Sequence, residues 1–304
     1  MRPIFTVIVS GLIVFACSRK TETIENRALK IVTTTGMIQD AVKNIAGKHA
    51  RVEALMGPGV DPHLYKATQG DLKKLTEADI VFYNGLHLEG KMGEVLEKLS
   101  RSKPVLAVAA SLPDSALLHV EGFNGIIDPH VWFDVKLWMQ VVSTIHNFLV
   151  EIDPVQKSYY DSAAQAYTAQ LDSLHRAIGA QLLTIPEEQR VLITAHDAFG
   201  YFGRAYNIQV RGLQGISTMA EFGLRDVTEL VDFIIERKIK AIFVESSISP
   251  KSIQAVEEGC KKKNWQVKIG GNLYSDAMGN PGTPEGTYIG MVHANVKTIV
   301  DALK

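Results

Sequence analysis

Three histidines and one aspartate stand in local settings that suit metal ligation. His63 lies in Gly57-Pro58-Gly59-Val60-Asp61-Pro62-His63, His130 in Asp128-Pro129-His130-Val131-Trp132, and His196 in Thr194-Ala195-His196-Asp197-Ala198-Phe199. The first two share the tripeptide Asp-Pro-His. Proline removes a backbone donor and fixes φ, so each of these histidines is presented from a stiff, non-helical loop. His196 follows the apolar run Val191–Ile193, at the C-terminal end of a strand, where α/β proteins place functional groups. Asp276 lies in Gly270-Gly271-Asn272-Leu273-Tyr274-Ser275-Asp276-Ala277-Met278-Gly279. It too follows a strand, in a Gly-rich loop whose backbone can approach a ligand closely. Imidazole nitrogens with a carboxylate suit zinc and other late transition ions, and the carboxylate also admits manganese.

Each of the four has a plainer reading when taken singly. A histidine near a strand end is often a hydrogen-bonded structural residue, and Asp-Pro-His alone makes a turn in which Asp caps and Pro sets φ. Four together, each in a loop after a strand and separated by roughly 65 to 80 residues, favour a shared site. Periodicity does not show that they converge. Asp197 and Glu245 are candidates to orient an imidazole, because a metal-bound histidine needs a partner for its other nitrogen. His87 and Glu89 follow a strand and read either as loop packing or as groups behind the ligands. Trp132, Phe133, Phe199 and Tyr201 either wall the site or fill the core. His49, His146, His175 and His293 lie in or near helical patterns and read as solvated or structural.

The elements that must position these residues alternate short apolar runs with amphipathic stretches, which predicts an α/β fold. Strands are expected at Leu29–Thr34, Val52–Met56, Ile80–Tyr83 and Val105–Val108, and helices at Gly36–Ile45, Gln69–Thr76 and Val135–Leu149. From Asp153-Pro154 to about Gly179 there is no internal Gly or Pro. Asp153 as N-cap and Pro154 at the first helical position open a helix roughly 40 Å long. The alternation then resumes, with strands at Arg190–Thr194, Ile208–Gly212, Ala241–Val244 and Gln266–Ile269. Helices are expected at Phe199–Tyr206, Leu224–Arg237, Pro250–Lys262 and Gly286–Ala302. The pattern divides the chain into an N-terminal α/β lobe, 29–152, a linking helix, 153–182, and a C-terminal α/β lobe of similar size, 183–304. A cleft between two such lobes is where loops at strand ends from both halves face one crevice.

The N-terminus reads as a targeting segment. Arg2 supplies a positive start, and Ile4 to Phe15 form an apolar run of about a dozen residues, too short to span a bilayer as a helix. Val14-Phe15-Ala16-Cys17 looks like a bacterial lipobox, in which Cys17 receives lipid; the alternative is an ordinary signal peptide that happens to contain a cysteine. Residues 1–17 are then the leader and 18–28 a polar tether. Only one other cysteine exists, Cys260, in a helical pattern and without a cysteine partner for a metal role. About 275 mature residues bury a large core without disulfides. With a formal net charge of −1 and no basic block or interleaved aromatic-basic stretch, nothing points to nucleic acid, and none is expected as a partner. The body carries no apolar run of about 18 residues that would span a membrane.

From Ile31 to the C-terminus the chain resembles the zinc/manganese solute-binding lipoproteins of bacterial ABC importers, the cluster A-I metal-binding family. The resemblance is carried by Gly59-Val60-Asp61-Pro62-His63-Leu64-Tyr65, Asn84-Gly85-Leu86, Asp128-Pro129-His130-Val131-Trp132-Phe133-Asp134 and Ala195-His196-Asp197-Ala198-Phe199-Gly200-Tyr201. Further along come Gly212-Leu213-Gln214-Gly215-Ile216-Ser217, Phe243-Val244-Glu245-Ser246-Ser247 and Leu273-Tyr274-Ser275-Asp276-Ala277-Met278-Gly279. It implies two lobes joined by a rigid helix, with Zn(II) or Mn(II) held in the crevice by His63, His130, His196 and Asp276. It also implies delivery to an ABC permease from outside the cytoplasm, in the periplasm or at the cell surface, with a lipid anchor in the membrane. Members with glutamate at the third position tend towards manganese, whereas His196 stands there in this chain. Members dedicated to zinc often carry a His- and acid-rich insertion, and Asp114–Gly125 holds only His119. Two other readings are a surface adhesin of the same family and a zinc hydrolase. The hydrolase lacks a His-Glu-x-x-His helix and a clear general base, so no enzyme is expected.

Overall fold

A computed structural model describes residues 27–120 and 125–304. The first half builds one parallel sheet from β1 (Leu29–Thr33), β2 (Ala50–Ala54), β3 (Ile80–Tyr83) and β4 (Val105–Ala107), in the order β2-β1-β3-β4. Crossovers run through α1 (Gly36–Ala46), α2 (Gln69–Glu77) and α3 (Gly93–Ser100). Parallel strands covered on both faces read as near-continuous apolar runs. Accordingly Ile31, Val32, Ile80, Val81 and Phe82 are all buried. From β1 the chain winds first to one side and later to the other, so the loops leaving β1 and β3 diverge over a crevice.

The second half repeats this winding. Strands β5 (Val191–His196) and β6 (Gln209–Gln214) pair in parallel, as do β7 (Ala241–Glu245) and β8 (Lys268–Leu273), and β5 lies beside β7. The linking helices are α6 (Gly200–Tyr206), α7 (Leu224–Glu236) and α8 (Lys251–Lys262), and α9 (Tyr288–Leu303) closes the chain. The reversal of winding falls between β5 and β7. Their last residues are His196 and Glu245.

Helix α4 (Val135–Ile152) ends the first half, and α5 (Lys157–Leu182) runs between the halves. Helix α5 has 26 residues, about 39 Å at 1.5 Å per residue. Its buried stripe, Tyr160, Ala164, Tyr167, Leu171, Leu174, Ile178 and Leu182, recurs every three or four positions, the period of one helix face. That face packs on α1 and α4 of the first half and on α9 of the second. Its start departs from expectation. Residues Pro154–Gln156 make a tight 3-10 turn, and the Asp153 carboxylate accepts the Tyr160 hydroxyl at 2.8 Å instead of capping backbone.

One continuous apolar cluster joins Leu29 and Ile31 of β1 to Trp138 of α4, Leu171 of α5, Leu192 of β5, Phe243 of β7 and Met291 of α9. Hydrogen bonds follow the same route. The Tyr288 hydroxyl donates to the Trp132 carbonyl at 2.7 Å, and the Tyr167 hydroxyl donates to Asp40 at 3.0 Å. Hinge motion would expose this shared core, at about 25 cal/mol for each Å² of apolar surface. Loading a ligand between the halves is therefore expected to change the radius of gyration by no more than roughly 0.5 Å. Solution scattering of the loaded and ligand-free protein checks this, and a contraction of roughly 2 Å would show a hinge instead.

Two elements differ from the sequence expectation for identifiable reasons. Helix α3 is not among the expected elements, because Gly93 and a short, charge-rich span with the single buried position Leu96 give it no apolar period. Strand β8 runs on through Gly270 and Gly271 to Leu273. The glycines are required there: a Cβ on Gly270 would lie 2.7 Å from Ala302 and 2.9 Å from Phe243. Among the described residues, no helix is long and apolar enough to cross a membrane.

Candidate metal centre

Three of the four residues lie in loops, whereas His196, expected in a loop after its strand, is the last paired residue of β5. Asp61 closes a turn by accepting the His63 N–H through Oδ1 at 2.8 Å, while Gly59 takes φ +72°, which a side chain would strain. Asp128 does more for His130. Its Oδ1 accepts the His130 backbone N–H at 2.9 Å and lies 2.7 Å from ring Nδ1. The carbonyl of Pro129 accepts from the Asn84 amide at 3.0 Å. Asn84 is held in turn by buried Glu89, which accepts the backbone N–H groups of Asn84 and Gly85 at 2.7 and 3.1 Å and the Thr34 hydroxyl at 2.7 Å. Glu89 thus ties the ends of β1 and β3 to the His130 loop. This resolves its reading as a loop anchor.

On the second half, His196 ends β5 and Glu245 ends β7. Glu245 Oε1 accepts the His196 backbone N–H at 2.8 Å, and Oε2 makes an ion-pair contact of 2.6 Å with ring Nδ1. Glu245, not Asp197, meets this imidazole. Asp276 follows β8, where Asn295 of α9 imitates a strand by bonding both N and O of Tyr274 at 2.9 and 2.7 Å. The Trp132 indole donates to the Ser275 carbonyl at 3.1 Å. Tyr201 donates its hydroxyl to the Asp128 carbonyl at 2.8 Å. Trp132 and Tyr201 therefore tie the halves together at the site as well as filling it.

These loops and the end of β5 bring His63, His130, His196 and Asp276 into one buried cluster, with their ligand-type atoms all within 4.8 Å of one another. His130 Nε2 lies 3.3 Å from Asp276 Oδ1, His196 Nε2 lies 3.3 Å from Asp276 Oδ2, and His63 Nε2 lies 3.3 Å from His130 Nε2. Ligand bonds of about 2.0–2.1 Å to a tetrahedral zinc ion put neighbouring donor atoms about 3.3–3.4 Å apart. The longest of the four contacts, His63 Nε2 to Asp276 Oδ2, is 3.9 Å. His196 Nδ1 and Glu245 Oε2 meet as an ion pair without hydrogen-bond geometry, and both Asp276 oxygens and His196 Nε2 are buried without a hydrogen-bond partner inside the cluster. Leaving such groups unpaired costs roughly 1–3 kcal/mol each, and more when charged. A cation among the four satisfies them at once.

The electrostatics fit that exchange. Burial pushes the His63 imidazolium down to about 3, so this ring is neutral at physiological pH. Burial opposes charge on His130 too, but Asp128 and then Asp276 outweigh it and push its pKa up to about 9. His196 is held well above the ordinary histidine value, with Glu245 and then Asp276 overcoming burial. Asp276 is held well below the carboxylate range, chiefly by His196 against the pull of burial. Metal-free, the cluster thus carries a proton on each of two rings. Exchanging two protons for one divalent ion leaves the buried charge unchanged.

His87 takes left-handed φ 64° and lines an apolar crevice of about 220 Å³ that leads to His63, outside the cluster. His146 contacts Asp161 at 2.8 Å and His175 contacts the Tyr206 hydroxyl at 3.0 Å, both away from the site. Cys260 is buried in α8, and Cys17 lies outside the described residues. Sequence reasoning missed Asp128 as the partner of His130 Nδ1. The signal was present, since Asp two residues before a loop histidine can reach both the backbone and the ring.

Comparison with known proteins agrees with this architecture. Residues 31–302 match the family described as zinc-uptake complex component A, periplasmic. The chain is 52% identical over 279 residues to the manganese-binding lipoprotein MntA of Bacillus subtilis, covering 92% of this chain and 91% of that protein. It is 51% identical over 273 residues to the zinc-binding protein TroA of Treponema pallidum, covering 90% and 88%. The solved periplasmic TroA structure superposes with a TM-score of 0.89 over 91% of this chain and 99% of its own. With its two-lobed α/β fold, this chain belongs to the zinc-uptake complex component A family of metal-binding transport proteins.

Proposed function

We propose that this chain is the extracytoplasmic metal-binding component of an ABC importer. It captures Zn(II) or Mn(II) through His63, His130, His196 and Asp276 and delivers the ion to a membrane permease. The observation that carries the reading is the spacing of those buried donor atoms around an ion-sized gap, with both Asp276 oxygens left for a cation. In this reading residues 1–17 are the leader, lipid on Cys17 and the tether 18–28 hold the body at a bacterial membrane, and 153–182 joins the lobes 29–152 and 183–304. The body then faces the periplasm or the cell exterior. Relatives named as lipoproteins support the anchor.

The ion is cargo. Four protein donors fill a tetrahedral shell, whereas a catalytic zinc keeps a position for water. Asp128 and Glu245 are both engaged with imidazoles, and Asp61 accepts from the His63 N–H and the Thr218 hydroxyl. The choice of ion is not set by likeness, because a manganese-named and a zinc-named relative match almost equally, at 52% and 51%. Donor chemistry favours zinc in affinity, by the order of divalent metals on a given N/O site.

The test is competition titration of metal-free protein with both ions across pH 6–9. The expected result is one ion per chain, zinc displacing manganese, and affinity rising with pH. The sign follows from His130 and His196, which must lose protons before Nε2 can bind. Each bound ion releases up to two protons, steepening affinity up to roughly a hundredfold per pH unit. Binding of neither ion above the level of ordinary surface sites would overturn the proposal.

A further inference from the structure

The four candidate ligands are not held equally. His130 and His196 each have a carboxylate against ring Nδ1. His63 has only the backbone bond to Asp61, and its loop faces the second half across the mouth of the site. Among the described residues, the one hydrogen bond from that loop to the second half is the Thr218 hydroxyl donating to Asp61 Oδ2 at 2.7 Å.

Thr218 sits half-buried in the connection Gly215–Gly223 between β6 and α7. That connection is folded around Gln214, whose side-chain amide donates to the Thr218 carbonyl at 2.8 Å and also to that of Ala220. Gln214 ends β6 in register with His196, and its carbonyl accepts the Asp197 N–H at 3.0 Å. A continuous path therefore runs His63–Asp61–Thr218–Gln214–His196. It starts and ends on candidate ligands from opposite halves. An ion bound between them would close the path into a ring, in which the Thr218–Asp61 bond is the only link made between two separate, half-buried loops.

We propose that Thr218 is a positioning residue: its hydroxyl, through Asp61, latches the His63 loop to the second half and sets how long the ion is retained. The inference rests on the metal-capture reading above. Asp61 serves both sides of the latch, one oxygen on the His63 backbone and the other on Thr218. Loss of the hydroxyl frees the least-tethered ligand while leaving all four donor groups in place. The effect belongs in the dissociation rate, since the latch closes after the ion has entered.

The experiment is a chelator chase of full-length protein loaded with Zn(II) or with Mn(II), following ion release by stopped flow. Thr218→Val keeps the shape and removes the hydroxyl; it is expected to release either ion roughly tenfold faster, the scale of one hydrogen bond to a charged group. Thr218→Ser keeps the hydroxyl and should stay within about twofold of wild type. Association rates and the melting temperature of the metal-free proteins should be nearly unchanged, because the residue lies in a half-buried loop outside the core. A wild-type release rate in Thr218→Val overturns the latch, as does equal acceleration in Thr218→Ser and Thr218→Val, which would assign the effect to packing. If wild-type protein binds neither ion, the capture reading fails first and the latch falls with it.

Discussion

Asp276→Asn is expected to weaken binding of zinc and manganese at least about a hundredfold, a loss of roughly 3 kcal/mol. The substitution keeps the shape and removes the only anionic donor among the four. Three neutral imidazoles and an amide would then face a doubly charged ion with both halves of the site buried, and burying an uncompensated charge is costly. His63→Ala should cost a similar factor by a different route. Its ring is neutral in the metal-free protein, since burial holds it at about 3, so its removal takes away a donor without changing the proton count. The two variants are therefore distinguishable. His63→Ala retains the steep pH dependence of the wild type, whereas Asp276→Asn flattens it, because the carboxylate helps hold protons on His130 and His196. Chelator competition at several pH values reads both effects. Thermal shift gives an independent check. An ion at a thousand times its Kd stabilises the wild type by about 4 kcal/mol, and at that concentration each variant should gain at least about 2.5 kcal/mol less. Native affinity in both variants would remove these residues from the site.

Much of this arrangement is legible in the sequence because it is local. Alternating apolar runs located all eight strands of the described residues, and the end of each mattered more than its start. Pro62 and Pro129 marked two histidines as loop-borne, and the turn made by each Asp-Pro-His is present as expected. What stayed hidden depends on distant pairing. No periodicity places β5 beside β7, yet that adjacency alone delivers Glu245 to His196, 49 residues earlier. Asn84 reaches Pro129 over 45 residues, and Trp132 reaches Ser275 over 143. Glycines misled for the opposite reason. Gly270-Gly271 reads as a loop, but the strand continues because Phe243 and Ala302 occupy the space side chains would need. The family resemblance filled the gap that local reading leaves, by supplying the convergence of four ligands that their spacing could not.

The second large effect is expected from Glu245→Gln. Glu245 accepts the His196 backbone N–H through one oxygen and meets ring Nδ1 through the other. The negative charge beside Nδ1 favours a proton on that nitrogen and leaves Nε2 to face Asp276 and the ion. Glutamine is nearly the same size, but it has one oxygen for two donors. If that oxygen stays with the backbone, the amide NH2 is turned towards Nδ1. The ring then favours its proton on Nε2, the nitrogen the metal requires. Affinity should fall 10- to 100-fold, the usual cost of losing a group that orients a ligand. The pH dependence adds a sign that simple damage would not produce. His196 is held well above the ordinary histidine value chiefly by Glu245, against burial. Without that carboxylate the metal-free ring holds its extra proton less firmly, so less of it has to be expelled on loading. Proton release per ion drops below the wild-type count of up to two. The affinity deficit is thus greatest at high pH and shrinks, by up to about tenfold per unit, as pH falls. Asp128→Asn should act in the same direction at His130, where the pKa is pushed up to about 9. Calorimetric titration in two buffers of different ionisation enthalpy counts the protons directly. A deficit that grows as pH falls would show that Glu245 acts on the fold rather than on the tautomer of His196.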